Sequence, residues 1–217
     1  MSLTVLIPAR KGSKRLKNKN LRNLGGRPLI EHTIEYAVKL VGPENVYVYT
    51  DIDATLFLNY GANVVERSSD AEDTSSADEY ILNFVANCVE DTTQNILLLQ
   101  VTSPFREPTL LENLIEIKKT TGAELVATGT SFGHDLWYDS KPFATNCFNE
   151  PRRQQDRSKK IYENGLAYLI DLSAFKRAKS LMKLSWSFFE TEPLFSLDIN
   201  TAIDFQIAEI LYKEWQK

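Results

Sequence analysis

The 217-residue sequence is poor in cysteine and has no long apolar segment. Cys88 and Cys147 make neither a disulfide framework nor the close spacing of a metal site. No stretch reaches the roughly 18 apolar residues that a membrane-spanning helix needs. The N-terminal MSLTVLIPAR meets basic residues after only a few apolar ones, which favours a first strand over a secretory signal. These absences favour a cytoplasmic protein with no membrane partner.

Two glycine-rich signatures of nucleotide enzymes are also absent. No G-x-x-x-x-G-K-[ST] occurs, which argues against a P-loop hydrolase, and no G-x-G-x-x-G follows the first strand, which argues against a dehydrogenase. His32 and His134 have no cysteine or second histidine nearby, so zinc is not indicated.

Acidic residues are missing from the first 30 positions, although the whole chain has a net charge of −4. That segment holds eight of the 25 basic residues and none of the 29 acidic ones. A local cationic cluster on an acidic body favours a compact anionic ligand, and it argues against nucleic acid, which needs a broad basic face. The alternative is a solvated run of charge.

Apolar runs and helix-period segments alternate along the chain, which predicts a doubly wound, mostly parallel α/β sheet in a single domain, 1–217. We expect the last helix to bury Ile203, Ile207, Ile210 and Leu211. The alternation of strand-like and helix-like segments is interrupted at residues 131–160, which we interpret as an insertion. Predicted strands cover 3–9, 45–50, 63–66, 95–101, 123–130 and 161–171, with a further strand-like run at 194–199. Predicted helices cover 28–41, a short segment ending at Gly61, 76–90, 108–121, about 173–180 and 201–216.

The loop PARKGSKRLKNKN, residues 8–20, follows the first strand and precedes a helix. Ligands of open α/β sheets bind outside the carboxyl ends of strands, so this is the expected site. Gly12 permits close backbone approach and Ser13 adds a hydroxyl. The guanidinium of Arg10 can grip two phosphate oxygens in a fork, whereas Lys14 and Lys19 can act as mobile point charges. This density of donors suits a triphosphate.

LIPARKGSKRLKNKNL resembles the signature of the acylneuraminate cytidylyltransferases, the CMP-sialic acid synthetase family. The matching positions are Arg10, Gly12, Ser13, Lys14, Lys19 and Asn20. The resemblance implies a Rossmann-like nucleotidyltransferase that binds CTP through this loop.

RSSDAEDTSSADEYI, residues 67–81, is similar to a family segment that borders the nucleotide. Arg67, Asp73 and Ser76 match, although Ser68 replaces the usual proline. A structural alternative exists, since Ser76 and Glu79 also form the S-x-x-E capping box of a helix.

LLLQVTSPFR, residues 97–106, resembles the family's L-L-Q-P-T-S-P-x-R. The resemblance assigns Gln100, Ser103 and Arg106 to the acidic sugar or its support. The alternative is that Ser103 and Pro104 form only a turn. A cation near a helix N-terminus is unfavourable, which suggests that Arg106 has another task.

RRQQDRSKKIYENGLAYLID, residues 152–171, is similar to the family's region around its Asn-Gly pair. The resemblance places Asn164 and Gly165 beside the sugar, although Asn-Gly also indicates a turn or bulge. It makes 131–160 a dimerisation arm and predicts a homodimer. In the family, such an arm can lend basic residues to the active site of the neighbouring subunit. The candidates here are Arg152, Arg153, Lys159 and Lys160.

SLDINTAIDFQIAE, residues 196–209, resembles the family's terminal D-I-D-[TS]-x-x-D motif, which holds Mg²⁺. Asp198 matches the first acid, and Asn200 replaces the second. Asn200 retains a ligand oxygen without the charge. Asp204 matches the third, but with Thr201 it also caps the last helix, and we assign it to the cap.

The resulting hypothesis is Mg²⁺-assisted transfer of a cytidylyl group from CTP to a nine-carbon 2-keto-3-deoxy sugar acid of the sialic, legionaminic or pseudaminic type. The predicted catalytic residues are Arg10, Lys14, Lys19 and Asp198. One alternative is another sugar-acid nucleotidyltransferase, although the eight-carbon branch carries Q-G-D-E-P where this chain has Q-V-T-S-P. The other is a non-catalytic nucleotide-binding homologue in which Asn200 marks lost metal chemistry.

Overall fold

The computed structural model describes residues 2–67, 76–89, 92–132, 137–138, 141–142, 153, 156 and 160–215. The strands are β1 Leu3–Ala9, β2 Asn23–Leu24, β3 Arg27–Pro28, β4 Val46–Thr50, β5 Asn63–Glu66, β6 Asn95–Leu99, β7 Leu125–Phe132, β8 Trp137–Tyr138, β9 Lys141–Pro142, β10 Lys160–Asp171 and β11 Trp186–Glu190. The α-helices are α1 Leu29–Val41, α2 Ala77–Cys88, α3 Leu110–Thr121, α4 Leu172–Ala178 and α5 Ala202–Trp215. Within these residues, no helix is both long and apolar enough to cross a bilayer.

Seven strands form one sheet in the order β11-β7-β10-β6-β1-β4-β5. All neighbouring pairs are parallel except those of β10, which runs antiparallel to β6 and β7. Two hairpins, β2–β3 and β8–β9, lie outside this sheet. The predicted mostly parallel α/β fold is confirmed.

The central strands bury both of their faces, as their unbroken apolar runs predict. In β1, Val5 and Ile7 pack in the same cluster as the buried residues of α1, α3 and α5. Leu6 points the other way and packs with α2 and α4. Helices therefore cover both faces of the sheet, and ligands have access at the ends of the strands.

The antiparallel strand β10 brings its first half to the carboxyl edge of the parallel strands. Ala167 pairs with Leu99, the last residue of β6, so the residues that precede Ala167 extend beyond that edge. The register of β10 against β7 shifts between Glu163 and Tyr168, and Gly165 lies in this bulge with φ of 75°. The bulge stands next to the loop that follows β6.

Two details of the predicted elements are wrong. The strand-like run at 194–199 is not a strand, because its first part is the 3₁₀ turn Pro193–Ser196. The edge strand is instead β11, which pairs in parallel with β7. Proline cannot donate to a strand ladder, which favours an irregular path for the segment that begins at Pro193. The short helix before Gly61 is a 3₁₀ helix, Ala54–Tyr60.

Helix α5 turns towards the core a side that differs in part from the expected one. The prediction is wrong for Ile203, Ile207 and Ile210, which are exposed, whereas Leu211 packs against the core as expected, together with the buried Phe205 and Ala208. The sequence carries two apolar stripes on this helix, and its contacts select one of them. On the chosen side, the Tyr212 ring packs over the backbone of Gly25, where an added Cβ would lie 1.9 Å from a ring carbon.

Candidate active site

A cleft of about 430 Å³ opens at the carboxyl edge of β1 and β6. It is the expected location, beside the point where the strand order reverses. Four predicted residues of the basic loop line it: Arg10, Ser13, Lys19 and Asn20. The later segments contribute five more, Arg67, Gln100, Gly165, Asp198 and Asn200. Nine predicted site residues from distant parts of the chain therefore meet in one cleft.

The basic loop is held in a compact shape by its own polar groups. Asn20 is only 8% exposed, and its side-chain Nδ2 donates to the carbonyl of Arg10 at 2.9 Å. Asn18 adopts the left-handed conformation just before the 3₁₀ turn that begins at Lys19. At the other end, the Lys11 amide donates to the Asp51 carboxylate at 2.5 Å. The loop folds back on itself at Arg10, so Arg10 and Lys19 face the same space.

Lys19 connects this loop to the segment that precedes α5. Its ammonium donates to the carbonyl of Ile199 at 2.7 Å and to Oδ1 of Asn200 at 3.3 Å. Burial lowers the pKa of Lys19, and the nearby Asp198 carboxylate opposes that shift. The N-terminal cations and Asp198 therefore share one site, although they are about as far apart in sequence as the chain permits.

Asn200 bridges Asp198 to the cations. Its Nδ2 donates to the carboxylate of Asp198, and its Oδ1 accepts from Arg15 at 2.7 Å as well as from Lys19. The predicted metal-ligand oxygen of Asn200 is thus already an acceptor for two cations. Asp198 is the better fit to a divalent ion, since its carboxylate lines the cleft and carries charge. Among the described residues, no group of three or more His, Cys, Asp or Glu has metal-binding geometry.

Asp204 caps α5, as expected. Its carboxylate accepts from the amides of Asn200 at 2.9 Å and Thr201 at 2.7 Å. Burial raises the pKa of Asp204, but these backbone donors outweigh it and the net shift is downward. The cap holds the start of the helix directly after the Asp198 segment.

Tyr80 is a cleft residue that the sequence reasoning missed. It lies on α2, one turn beyond Ser76, and lines the cleft with Gln100 and Arg67. Burial raises the pKa of Tyr80 to about 12, and a side-chain interaction with Gln100 opposes that shift. The signal available was its spacing, since a residue four positions after the helix cap lies on the same face as the cap.

Arg106 lies beneath the cleft and does not line it. The side chain is 5% exposed and donates to the carbonyl of Gln100 at 2.5 Å and to Oγ1 of Thr33 at 3.1 Å. Its guanidinium stacks 5.6 Å from the centre of the Tyr36 ring, and burial lowers its pKa to about 10. This buried side chain is not in a position to contact a sugar in the cleft. Its hydrogen bond instead supports the main chain at Gln100. Ser103, 1% exposed, likewise lies under the surface, in a turn back to Gln100.

Asn164 also lies below the wall of the cleft, because it is only 6% exposed. Its amide is hydrogen-bonded to four hydroxyl groups, those of Thr128 (2.7 Å), Thr191 (2.8 Å), Thr130 (3.0 Å) and Ser196 (3.3 Å). The predicted sugar contact is therefore replaced by a buried polar cluster. This cluster anchors the bulge that presents Gly165 to the cleft.

Replacing Asn164 by alanine should lower the free energy of unfolding by about 2–3 kcal/mol, because buried hydroxyl groups lose their partner. Urea denaturation measures this change. Asn87→Ala is the matched control, since Asn87 is exposed and donates only to the carbonyl of Asn83 in its own helix. The control should change stability by no more than about 0.5 kcal/mol. Equal effects of the two substitutions would contradict a buried anchoring role.

The remaining predicted residues lie outside the cleft wall. Ser76 and Glu79 form the reciprocal capping box of α2, so the structural alternative for Ser76 is confirmed. Gly12 and Lys14 are exposed, and nothing lies within 4 Å of a Cβ built on Gly12. Among the basic residues assigned to the predicted arm, Arg153 is exposed and Lys160 begins β10. Asp73, Arg152 and Lys159 lie outside the described residues.

Comparison with known proteins agrees with this geometry. Residues 4–183 match the family model described as cytidylyltransferase. The chain is 35% identical to the CMP-N,N'-diacetyllegionaminic acid synthase of Legionella pneumophila, over 97% of this chain and 96% of that protein. It is 31% identical to the N-acylneuraminate cytidylyltransferase of Oncorhynchus mykiss, over 95% of this chain but only 49% of that longer protein.

Solved structures share the fold at low identity. The CMP:2-keto-3-deoxy-manno-octonic acid synthetase complexed with CTP superposes with a TM-score of 0.73 at 18% identity, covering 99% of this chain and all of that one. The bifunctional IspDF from Campylobacter jejuni gives a TM-score of 0.70 at 12% identity, covering 95% of this chain and 54% of that one. With the family match over most of its length, and with the motif residues gathered in one cleft, this chain belongs to the cytidylyltransferase family.

Proposed function

We propose that this protein transfers a cytidylyl group from CTP to a nine-carbon 2-keto-3-deoxy sugar acid. The observation that carries the proposal is the meeting of Lys19, Asp198 and Gln100 in one cleft. The cations provide a place for phosphates, the carboxylate a place for a divalent ion, and the amide a polar contact for a sugar. Two other clefts, one beside Tyr36 and one beside Leu111, lack this combination.

The proposed reaction is a single displacement at phosphorus. The anomeric hydroxyl oxygen of the acid bonds to the α-phosphorus of CTP, the bond to pyrophosphate breaks, and the hydroxyl proton is released. Arg10, Ser13 and Lys19 hold the phosphates and stabilise the charge that develops on the leaving pyrophosphate. Positioning and charge neutralisation supply the rate enhancement, so the protein needs no covalent intermediate.

Mg²⁺ is part of this proposal, with Asp198 as the residue that holds it. The fit rests on the chemistry of the site, since a carboxylate beside a phosphate-binding loop is a usual Mg²⁺ ligand set when substrate phosphates complete it. Bound Mg²⁺ would supply Lewis-acid stabilisation of phosphate charge. Asn200 orients Asp198 through its amide, and Lys19 balances the charge of the carboxylate.

The nine-carbon acids are favoured over eight-carbon acids by two observations. The segment after β6 reads Q-V-T-S-P, and both curated relatives described above are named for nine-carbon acids. The eight-carbon synthetase shares the fold at 18% identity, which carries no information about the sugar.

Pyrophosphate release tests the proposal directly. The protein is mixed with CTP, Mg²⁺ and one acid at a time: N-acetylneuraminic, diacetyllegionaminic, pseudaminic and the eight-carbon acid. We expect release with at least one nine-carbon acid and little with the eight-carbon acid. CTP binding with no release for any acid would support the non-catalytic alternative. In that case Asn200→Asp, which adds the missing carboxylate, should recover activity.

We further propose that the protein is a cytoplasmic homodimer that uses residues 131–160 as its contact arm. The arm is supported by the family resemblance. Ile161, at the start of β10 and next to this segment, is 40% exposed. Sedimentation equilibrium of the full chain gives the mass that decides between dimer and monomer.

A further inference from the structure

We propose that Tyr80 is a positioning residue that holds the nucleotide side and the sugar side of the cleft together, an inference that rests on the function proposed above. Its ring holds Arg67, and its hydroxyl holds Gln100. One side chain thus orders two groups that serve different substrates.

The Tyr80 ring lies against Arg67. The Arg67 guanidinium carbon lies 5.9 Å from the centre of the Tyr80 ring and 6.0 Å from that of Tyr49. Both distances fall within the range of cation–π attraction. The two rings restrict the long side chain of Arg67 from two directions. Its backbone is held separately, by a 2.9 Å hydrogen bond from its amide to the carbonyl of Thr50.

The Tyr80 hydroxyl is the group that interacts with Gln100. Gln100 is held from below through its main-chain carbonyl, which accepts from the buried Arg106 at 2.5 Å. That contact leaves the side-chain amide free to rotate. The interaction between the Gln100 side chain and the Tyr80 oxygen favours one orientation of this amide in the cleft that both residues line. An amide that is already oriented loses less conformational entropy when the substrate binds.

Tyrosine is the residue type that performs both tasks. Phenylalanine supplies the ring without the hydroxyl, and leucine supplies neither. The two substitutions therefore separate the nucleotide effect from the sugar effect. Tyr47→Phe is the matched control, because Tyr47 packs 5.4 Å from the ring of Phe84 on the same helix but does not line the cleft.

Tyr80→Phe should raise KM for the sugar acid by about three- to tenfold, the value of one neutral hydrogen bond, with CTP affinity within about twofold of wild type. Tyr80→Leu should also weaken CTP binding, by about three- to thirtyfold, because Arg67 loses one of its rings. CTP affinity is measured by calorimetry in EDTA, and KM by pyrophosphate release at saturating CTP. Thermal unfolding of each variant, compared with Tyr47→Phe, separates these effects from a loss of stability.

Two results would overturn the inference. One is a KM for the acid in Tyr80→Phe equal to that of Tyr47→Phe, and the other is unchanged CTP affinity in Tyr80→Leu. If wild type releases no pyrophosphate with any acid, the proposed function fails, and CTP calorimetry still decides the role of the ring. Calorimetry of N-acetylneuraminic acid with the CTP-loaded protein in EDTA then decides the role of the hydroxyl, and absence of acid binding counts against it.

Discussion

Replacing Lys19 by methionine should lower kcat for pyrophosphate release by about 10- to 100-fold, the value of one lost hydrogen bond to a charged group. Methionine preserves the length of the side chain, so the loss reports the charge. Lys19 donates at 2.7 Å to the carbonyl of Ile199 and faces the same cleft as Arg10, which places its ammonium between the basic loop and the Asp198 segment. Initial rates at saturating CTP measure the effect.

Lys17→Met is the control, because Lys17 is an exposed lysine of the same loop and does not line the cleft. Equal rates for the two variants would refute the assignment of Lys19. The pH profile gives a second readout. Burial lowers the pKa of Lys19, so its cationic form is lost at a lower pH than that of an exposed lysine. The wild-type rate should therefore fall as the pH rises towards that lowered pKa, and Lys19→Met should lack this decline.

Asp198→Asn should lower kcat by about 100-fold or more, an effect of about 2.7 kcal/mol on the barrier. The substitution preserves shape and removes the one carboxylate that lines the cleft among the described residues. Without this charge, the proposed Mg²⁺ site loses its anionic ligand, so the Mg²⁺ concentration for half-maximal rate should also rise. Rates measured across a Mg²⁺ series give both quantities.

Asp204→Asn provides the comparison, since Asp204 belongs to the same motif but caps α5. It should lower the free energy of unfolding by about 0.5–2 kcal/mol through the weakened cap, with little change in kcat. If the rate of Asp204→Asn no longer depended on Mg²⁺ concentration while that of Asp198→Asn still did, Asp204 would be the metal ligand and Asp198 would not. Assay at a temperature well below unfolding of both variants separates stability from chemistry.

Several elements of this protein followed from local patterns. The unbroken apolar run of β6 predicted a strand covered on both faces, and the helical pattern at 28–41 predicted α1. The cationic loop after β1 predicted the position of the cleft, because polar groups that follow parallel strands gather at one edge of the sheet. These features depend on residues close in sequence, where propensity and periodicity act.

Other features depended on contacts between distant segments. Asn164 and Arg106 have the polar character of substrate-binding residues, yet hydroxyl groups and a main-chain carbonyl enclose them below the surface. Tyr80 is not among the residues that match the family motifs, and only the folded structure brings it next to Gln100. A polar side chain satisfies its hydrogen bonds with whichever partner the fold supplies, and a short motif does not encode that partner.

By itself, the sequence determined the α/β alternation, the family and the segments that carry the chemistry, because each of these is written in residue type and spacing over a short stretch. The tertiary structure alone decided which face of α5 is buried, which motif residues reach the cleft, and how Asn200 turns its amide between Asp198 and the cations. These outcomes depend on the relative free energies of alternative contacts between segments that are far apart in the chain. Only the folded sheet brings these segments into contact.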